Sequence, residues 1–128
     1  MAKSAHVMKR SILIVDDEVH VREGLAEILE QEGFHVETAM NGKEALAIVV
    51  NKRFDLMISD IKMPEMDGME LLDSLQASNP ELRVIMVTAF GDVQTYLNAM
   101  QLGAYEYINK PIKLPELKRV IATIMDQT

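Results

Sequence analysis

The sequence contains no cysteine and no tryptophan, and none of its apolar runs is long. Without cysteine, neither disulfide bonds nor thiolate metal sites are available. The apolar runs fall far short of the roughly 20 residues that a membrane-spanning helix needs. The first ten residues, MAKSAHVMKR, lack the apolar stretch of a secretion signal. We therefore expect a cytoplasmic protein that does not associate with a membrane.

Positive charge is also scarce in this chain. Thirteen Lys and Arg residues stand against twenty Asp and Glu residues, which gives a formal net charge of −7 at pH 7. Because nucleic-acid backbones are bound mainly through clustered Lys and Arg, we expect no direct nucleic-acid binding by this chain. The chain has 128 residues, of which 48% are apolar. This length and composition predict a single globular domain over residues 1–128, with its core over about residues 10–126.

Short β-rich runs alternate with segments of helical spacing. Strands are predicted at residues 10–15, 35–39, 56–59, 83–88 and 105–109. After each strand, apolar residues recur at spacings of three and four, which predicts an amphipathic helix. Residues suited to helix ends agree with this reading: Asn41 before the second helix, Gly33 and Gly103 after the first and fourth, and Pro115 in the first turn of the fifth.

Five strands separated by five helices predict an α/β fold with a doubly wound parallel sheet, because each parallel connection needs a crossover. The first, third and fourth strands are continuous apolar runs, as expected of strands buried on both faces. The second and fifth carry Glu37 and Glu106 in partial alternation, which is typical of edge strands. This pattern favours the flavodoxin-like order 2-1-3-4-5 over the 3-2-1-4-5 order of a dinucleotide-binding fold.

Polar side chains follow four of the predicted strands. Asp16 and Asp17 follow the first, Asp60 follows the third, Thr88 closes the fourth and Lys110 follows the fifth. In an open α/β sheet the binding cleft lies beyond the carboxyl ends of the strands, where the topology changes direction. We therefore expect these five side chains to point into one cleft.

Three carboxylates in one cleft repel one another unless a cation holds them. Oxygen ligands without Cys or His suit a hard ion, so Mg²⁺ is the expected cofactor, with Mn²⁺ as the alternative. A divalent ion also makes a carboxylate usable as a nucleophile towards phosphorus. The set of residues fits phosphoryl transfer to an aspartate, with Lys110 and Thr88 contacting the transferred group.

Four motifs, ILIVDDE, DLMISDIKMPEMDGMELL, VIMVTA and GAYEYINKPI, occur in this order on these elements. Together they resemble the receiver domain of bacterial two-component response regulators. The resemblance implies that Asp60 is the phosphoacceptor and that Thr88 and Lys110 assist it. It implies a metal site formed by Asp16, Asp17, Asp60 and the main-chain carbonyl of Lys62. Thr88 and Tyr107 would be the switch residues.

The resemblance also implies partners. A sensor histidine kinase or a phosphotransfer protein would donate the phosphoryl group, and the surface of helix 4, strand 5 and helix 5 would signal to an effector or an output domain. Homodimerisation through that surface is left open, as is the choice between a stand-alone regulator and the input domain of a larger one. The Lys110–Pro111 bond is expected to be cis by resemblance, against the ordinary trans turn.

Three other functions are compatible with parts of this pattern. A degenerate receiver would act only by protein contact, but Asp17, Asp60, Thr88 and Lys110 are all present. A phosphatase with an aspartate nucleophile would be expected to carry a second acid two residues later, where this chain has Lys62. A flavin carrier would need a phosphate-binding loop after strand 1, where this chain is acidic.

Two residues near the acceptor are hypothesised to set the lifetime of the phosphorylated state. Lys62 lies two residues after Asp60 and Phe90 two after Thr88, so both side chains could obstruct the path of a hydrolytic water.

Overall fold

The computed structural model describes residues 9–89 and 91–126, and within them five strands alternate with five helices. The strands are β1 (Ser11–Val15), β2 (His35–Ala39), β3 (Leu56–Asp60), β4 (Arg83–Thr88) and β5 (Glu106–Asn109). The helices are α1 (Val19–Gln31), α2 (Gly42–Asn51), α3 (Gly68–Ser78), α4 (Val93–Gln101) and α5 (Leu114–Asp126). No helix in these two ranges has the length and apolar character to cross a membrane.

The sheet is parallel throughout, with the strand order β2-β1-β3-β4-β5. This confirms the predicted topology. All of β3, and all but the first residue of β1 and of β4, are buried, whereas β2 and β5 carry exposed residues. The central strands are apolar because helices cover both of their faces, and the two edge strands are partly polar because one side of each is open.

Alternate residues of each central strand enter different cores. Leu13 and Val15 of β1 pack in the layer between the sheet and α2, α3 and α4. Ile12 and Ile14 pack in the layer between the sheet and α1 and α5. Since successive side chains of a strand point to opposite faces, one apolar run supplies both layers. The sheet is therefore held from both sides, and the carboxyl ends of its strands are fixed relative to one another.

The predicted helix ends are confirmed. Asn41 Oδ1 accepts a hydrogen bond from the N–H of Glu44 (2.8 Å) at the start of α2. Gly33 (φ 102°) and Gly103 (φ 101°) follow α1 and α4 in the left-handed conformation that glycine adopts without steric cost. Pro115 lies in the first turn of α5, where the nitrogen of proline has no helical acceptor to lose.

Three predicted strand bounds were wrong by one residue. Residues 10 and 105 lie outside β1 and β5, although a ladder hydrogen bond still reaches each of them: His35 N–H donates to Arg10 O (2.9 Å) and Tyr105 N–H donates to Val84 O (2.8 Å). Residue 60 lies inside β3, because Asp60 is still in register with Val87 of β4. The side chain of Asp60 therefore projects from the ordered end of a central strand and not from a loop.

Candidate functional site: an acidic cluster at the carboxyl edge of the sheet

Three carboxylates meet where β1 and β3 end. Asp16 and Asp17 directly follow β1, and Asp60 is the last residue of β3. One carboxylate oxygen from each of the three lies within 4.8 Å of the other two. Asp16 and Asp60 are 5% and 7% exposed, and Asp17 is exposed. The predicted convergence of these side chains is confirmed, with two of them buried and one facing the solvent.

Lys110 is the cation of this cluster. Its Nζ lies 3.3 Å from Asp16 Oδ2, 3.3 Å from Asp60 Oδ2 and 3.5 Å from Glu18 Oε1. Burial alone would lower the pKa of Lys110, but the carboxylates of Asp16 and Asp60 outweigh it and raise that pKa above its ordinary value. The ammonium group therefore stays protonated and is shared among several carboxylates.

The negative charge of Asp60 is only partly compensated by Lys110 in this arrangement. Burial raises the pKa of Asp60, Lys110 acts to lower it, and the neighbouring Asp16 raises it further, so that the pKa ends above its usual value. The N–H of Lys62 donates to Asp60 Oδ1 at 3.3 Å. One lysine thus faces more negative charge than it neutralises, and all the candidate ligand atoms are oxygens. This donor set fits a hard divalent cation such as Mg²⁺.

The turn between β3 and α3 is packed tightly behind Asp60. Asp67 caps α3 in a capping box with Glu70, and the N–H of Gly68 donates to Ile61 O at 2.8 Å. A Cβ atom at Gly68 would meet the Asp60 carbonyl oxygen and would lie 2.7 Å from Met86 Cε. Only glycine fits at this position, so α3 begins in direct contact with the backbone of Asp60.

Thr88 and Lys110 are adjacent at the ends of β4 and β5. Thr88 is 1% exposed, and its carbonyl accepts the N–H of Lys110 at 2.7 Å. The Lys110–Pro111 bond is cis, which agrees with the expectation from the resemblance. The contact of the Thr88 hydroxyl with a transferred group stays a prediction.

Tyr107 lies half-buried in β5 and packs edge to face against Tyr96 of α4, with ring centroids 5.5 Å apart and an interplanar angle of 89°. Within residues 9–89 and 91–126, its buried hydroxyl has no hydrogen-bond partner. Burial, and to a smaller extent the carboxylate of Asp92, raise the pKa of Tyr107. The switch role of Tyr107 remains a prediction.

Of the two residues hypothesised to set the lifetime of a phosphorylated state, Lys62 lies beside the acidic cluster. Lys62 has an exposed side chain and lines a depression of about 210 Å³ together with Asp17, Glu18, Asp60, Ala89 and Lys110. Phe90 lies outside the described residues. The metal-ligand role of the Lys62 carbonyl also stays a prediction.

Two residues near the site had no role in the prediction from sequence. Glu18, the third acid of the DDE motif, reaches Lys110. Arg22 Nη1 donates to the main-chain carbonyl of Asp16 at 2.8 Å. The signal that the sequence offers for this contact is the position of Arg22, five residues after Asp17 and one helical turn after Glu18.

A larger depression lies at the opposite edge of the sheet. Its volume is about 740 Å³, and it is lined by the segments before β3 and β4, residues 49–55 and 78–83. Its ionisable side chains are not buried; Asp55 Oδ2, for example, accepts the N–H of Ser11 at 2.8 Å. Volume therefore does not identify the candidate site, whereas converging buried carboxylates do.

This geometry agrees with comparisons to known proteins. A family model described as the response regulator receiver domain matches residues 12–122. The chain therefore belongs to the response regulator receiver domain family.

Two relatives place the chain within that family. It is 36% identical over 115 residues to sporulation initiation phosphotransferase F of Bacillus subtilis, covering 90% of this chain and 93% of that protein. It is 38% identical over 110 residues to the regulatory protein AtoC of Escherichia coli, covering 86% of this chain but only 24% of AtoC. The chain thus spans about a quarter of the length of AtoC.

Solved structures show the same fold. A CheY-like receiver domain protein from Methanospirillum hungatei superposes with a TM-score of 0.90 at 36% identity, over 94% of this chain and 96% of that one. The response regulator TrrA from Thermotoga maritima, solved in complex with Mg(2+)-BeF, superposes with a TM-score of 0.82 at 35% identity, over 90% of this chain and 98% of that one.

Proposed function

We propose that Asp60 accepts a phosphoryl group in a Mg²⁺-dependent reaction, and that the chain is a phosphoacceptor receiver domain spanning residues 1–128. One observation carries this proposal. Oxygens of Asp16, Asp17 and Asp60 converge within 4.8 Å of one another. In agreement with this crowding of negative charge, the pKa of Asp60 stays above its ordinary value although Lys110 acts to lower it. A site with surplus negative charge and oxygen ligands is suited to a divalent cation and to chemistry on an anionic phosphoryl group.

The reaction is a displacement at phosphorus. A carboxylate oxygen of Asp60 attacks the phosphorus of a phosphohistidine, the P–N bond breaks, and the imidazole leaves with the bonding electron pair. The product is an acyl phosphate on Asp60. Because the side chain projects from the end of a strand paired on both sides, the nucleophile is already oriented before the donor arrives.

Three groups of the chain assist this step. Lys110, already 3.3 Å from Asp60 Oδ2, pairs with a phosphoryl oxygen, and the hydroxyl of Thr88 donates to another. Asp16, Asp17, Asp60 and the main-chain carbonyl of Lys62 form the metal site. A bound Mg²⁺ offsets the repulsion between these carboxylates and the incoming phosphoryl oxygens.

The proposed partners follow from this chemistry. The chain acts in the cytoplasm, its phosphoryl donor is a sensor histidine kinase or a phosphotransfer protein, and the chain itself turns over no external substrate. Thr88 and Tyr107 couple phosphorylation to the surface formed by α4, β5 and α5. In support of an output surface, Val93, Tyr96 and Leu97 of α4 are 74%, 42% and 47% exposed. An effector, an output domain or a second copy of the chain binds there.

Intact-mass spectrometry after incubation with acetyl phosphate and MgCl₂ tests the acceptor. The wild type is expected to gain the mass of one phosphoryl group, and Asp60→Asn is expected to gain none. Asp73→Asn, which changes an exposed aspartate of α3, is the matched control and should behave as the wild type does. EDTA should abolish the gain.

Two results would contradict the proposal. A gain of equal size in Asp60→Asn would place the phosphoryl group elsewhere. A folded wild type that gains no mass from acetyl phosphate or from a panel of histidine kinases would favour a receiver that acts only by protein contact.

A further inference from the structure

We infer that Arg22 is a positioning residue for the metal site: its guanidinium holds the carbonyl of Asp16 and thereby orients the carboxylate of Asp17. The inference rests on the proposed function, in which Asp17 is a Mg²⁺ ligand. It concerns a residue of α1 that lies outside the acidic cluster itself.

The loop between β1 and α1 is not held in the way that the loops before α2, α3 and α4 are. At the start of α2, α3 and α4, the side chains of Asn41, Asp67 and Asp92 cap the first turn of the helix. At the start of α1 the N-cap residue is Glu18, and its side chain makes no capping hydrogen bond. Since a side-chain cap normally fixes the entry of the chain into a helix, this loop needs another restraint.

Contacts on Asp16 supply that restraint. Its N–H donates to Ala39 O of β2 at 3.2 Å, and its Oδ1 accepts the N–H of Glu18 at 2.8 Å. Its Oδ2 lies 3.3 Å from Lys110 Nζ, and its carbonyl accepts from Arg22 Nη1 at 2.8 Å. Asp16 is thus held at four atoms, and the Arg22 contact is the one that acts on the peptide leading to Asp17.

The planarity of the peptide bond makes this contact decisive for Asp17. The carbonyl of Asp16 and the N–H and Cα of Asp17 belong to one rigid plane. Holding the oxygen at one end of the plane fixes the position of the Asp17 Cα, and the hydrogen bond from Glu18 N–H to Asp16 Oδ1 (2.8 Å) restrains the peptide that follows. Together the two contacts limit the φ and ψ angles of Asp17, and so the direction of its exposed side chain. The backbone that carries Arg22 is itself held in place, because Leu25 and Leu29 anchor α1 in the core.

Arg22 acts through geometry more than through its charge. The half-buried Arg22 directs its hydrogen bond at a main-chain carbonyl and not at a carboxylate. Substitutions that separate charge from hydrogen-bond geometry therefore discriminate between the two explanations.

The experiment is a MgCl₂ titration of the full chain followed by ¹H–¹⁵N NMR. Arg22→Met removes the donor and keeps the aliphatic stem, and Arg22→Lys keeps the charge with a different donor geometry. Arg119→Met, at an exposed position of α5, is the control for the loss of one positive charge. We expect the Mg²⁺ dissociation constant to rise about tenfold in Arg22→Met, as for other residues that orient a metal ligand. Arg22→Lys should show a smaller rise, and Arg119→Met less than a twofold change.

A second readout needs no metal. In EDTA, the amide signals of Asp17 and Glu18 should shift in Arg22→Met and stay in place in Arg119→Met, while signals of the core strands are unchanged in both. Equal dissociation constants in Arg22→Met and Arg119→Met, with Asp17 signals unmoved, would overturn the inference and leave the proposed function standing. A wild type that binds no Mg²⁺ would overturn both.

Discussion

Two lysine–carboxylate contacts in this protein have opposite electrostatic outcomes. Lys52 of the chain after α2 lies 2.9 Å from Glu37 Oε1 on β2, and this hydrogen bond lowers the pKa of Glu37 despite partial burial. Lys110 lies 3.3 Å from Asp60 Oδ2, and yet burial keeps the pKa of Asp60 raised. The lysine of the surface pair therefore stabilises the charged form of its carboxylate, whereas in the acidic cluster the lysine does not offset the effect of burial.

The difference lies first in the deeper burial of Asp60, and then in how many carboxylates share each lysine. Lys110 contacts three carboxylates, two of them buried. Each therefore receives only part of the charge of Lys110, and the two buried carboxylates also lose hydration. Lys52 contacts Glu37 alone among the described ion pairs. A carboxylate that keeps a raised pKa beside a lysine, within a cluster of carboxylate oxygens, is a candidate for cation binding.

The largest expected effect tests directly whether the acidic cluster binds a divalent cation. Asp17→Asn should weaken Mg²⁺ binding at least about 100-fold, because a carboxylate ligand contributes more than the surrounding residues that orient it. Glu37→Gln removes a carboxylate of the surface pair and should leave the affinity unchanged. Isothermal titration calorimetry measures the Mg²⁺ affinity of both variants. Equal losses of affinity would show that the acidic cluster differs in no relevant way from the surface pair.

The next effect concerns the backbone that carries Asp60. Gly68→Ala should lower the free energy of unfolding by about 2 kcal/mol, because the added Cβ overlaps fixed atoms of a packed core. Gly24 of α1 has nothing within 4 Å of an added Cβ, so Gly24→Ala should instead stabilise the protein by about 0.5–1 kcal/mol. Urea denaturation measures the free energy of unfolding of both variants. A Gly68→Ala protein as stable as the wild type would show that the turn after β3 accommodates the added Cβ atom.

A smaller effect should have a sign opposite to that of most substitutions of buried residues. In EDTA at neutral pH, Asp60→Asn should raise the free energy of unfolding by on the order of 1 kcal/mol, because it removes a buried and under-compensated charge.

The pH dependence of this effect follows from the raised pKa. The folded-state pKa of Asp60 lies above the unfolded-state value, so the wild type loses stability relative to Asp60→Asn as pH rises through the folded-state pKa. Below the unfolded-state value the two proteins should converge. Chemical denaturation across pH checks this, and a wild type that is the more stable of the two at neutral pH would contradict it.

The smallest effect belongs to the surface pair. Lys52→Met should cost about 0.5 kcal/mol at neutral pH, the usual size for an exposed ion pair. Because the folded-state pKa of Glu37 is lowered, this stabilisation is present above the unfolded-state pKa and lost as pH falls through the folded-state pKa. The same denaturation series would show it, with Lys43→Met, at an exposed pair with Glu65, as control. A difference that persisted at acid pH would exclude the ion pair as its cause.

The fold was predictable because its signals are local. Apolar runs, helical spacing and residues such as Asn41 and Gly33 mark each element within a few positions, and the polarity of β2 and β5 distinguished edges from centre. The convergence of Asp16, Asp17 and Asp60 followed from the same topology, since parallel strands bring their carboxyl ends to one edge.

Other features of the site depend on distances that no local pattern contains. The extension of β3 to Asp60 depends on its register with β4. The contact of Arg22 with Asp16 depends on the rotation of α1 about its axis. The raised pKa of Asp60 depends on how deeply the finished fold buries it. Each of these is decided by packing, and packing is a property of the whole chain.

The lysine of the acidic cluster comes from far along the polypeptide. It is 94 positions from Asp16 and 50 from Asp60, so the three aspartates are all synthesised well before it. While the chain is still being made on the ribosome, a nascent product that ends before β5 holds every acidic group of the site but not its cation. A nascent chain of that length therefore carries the carboxylates of the cluster without the lysine that shares their negative charge in the folded protein.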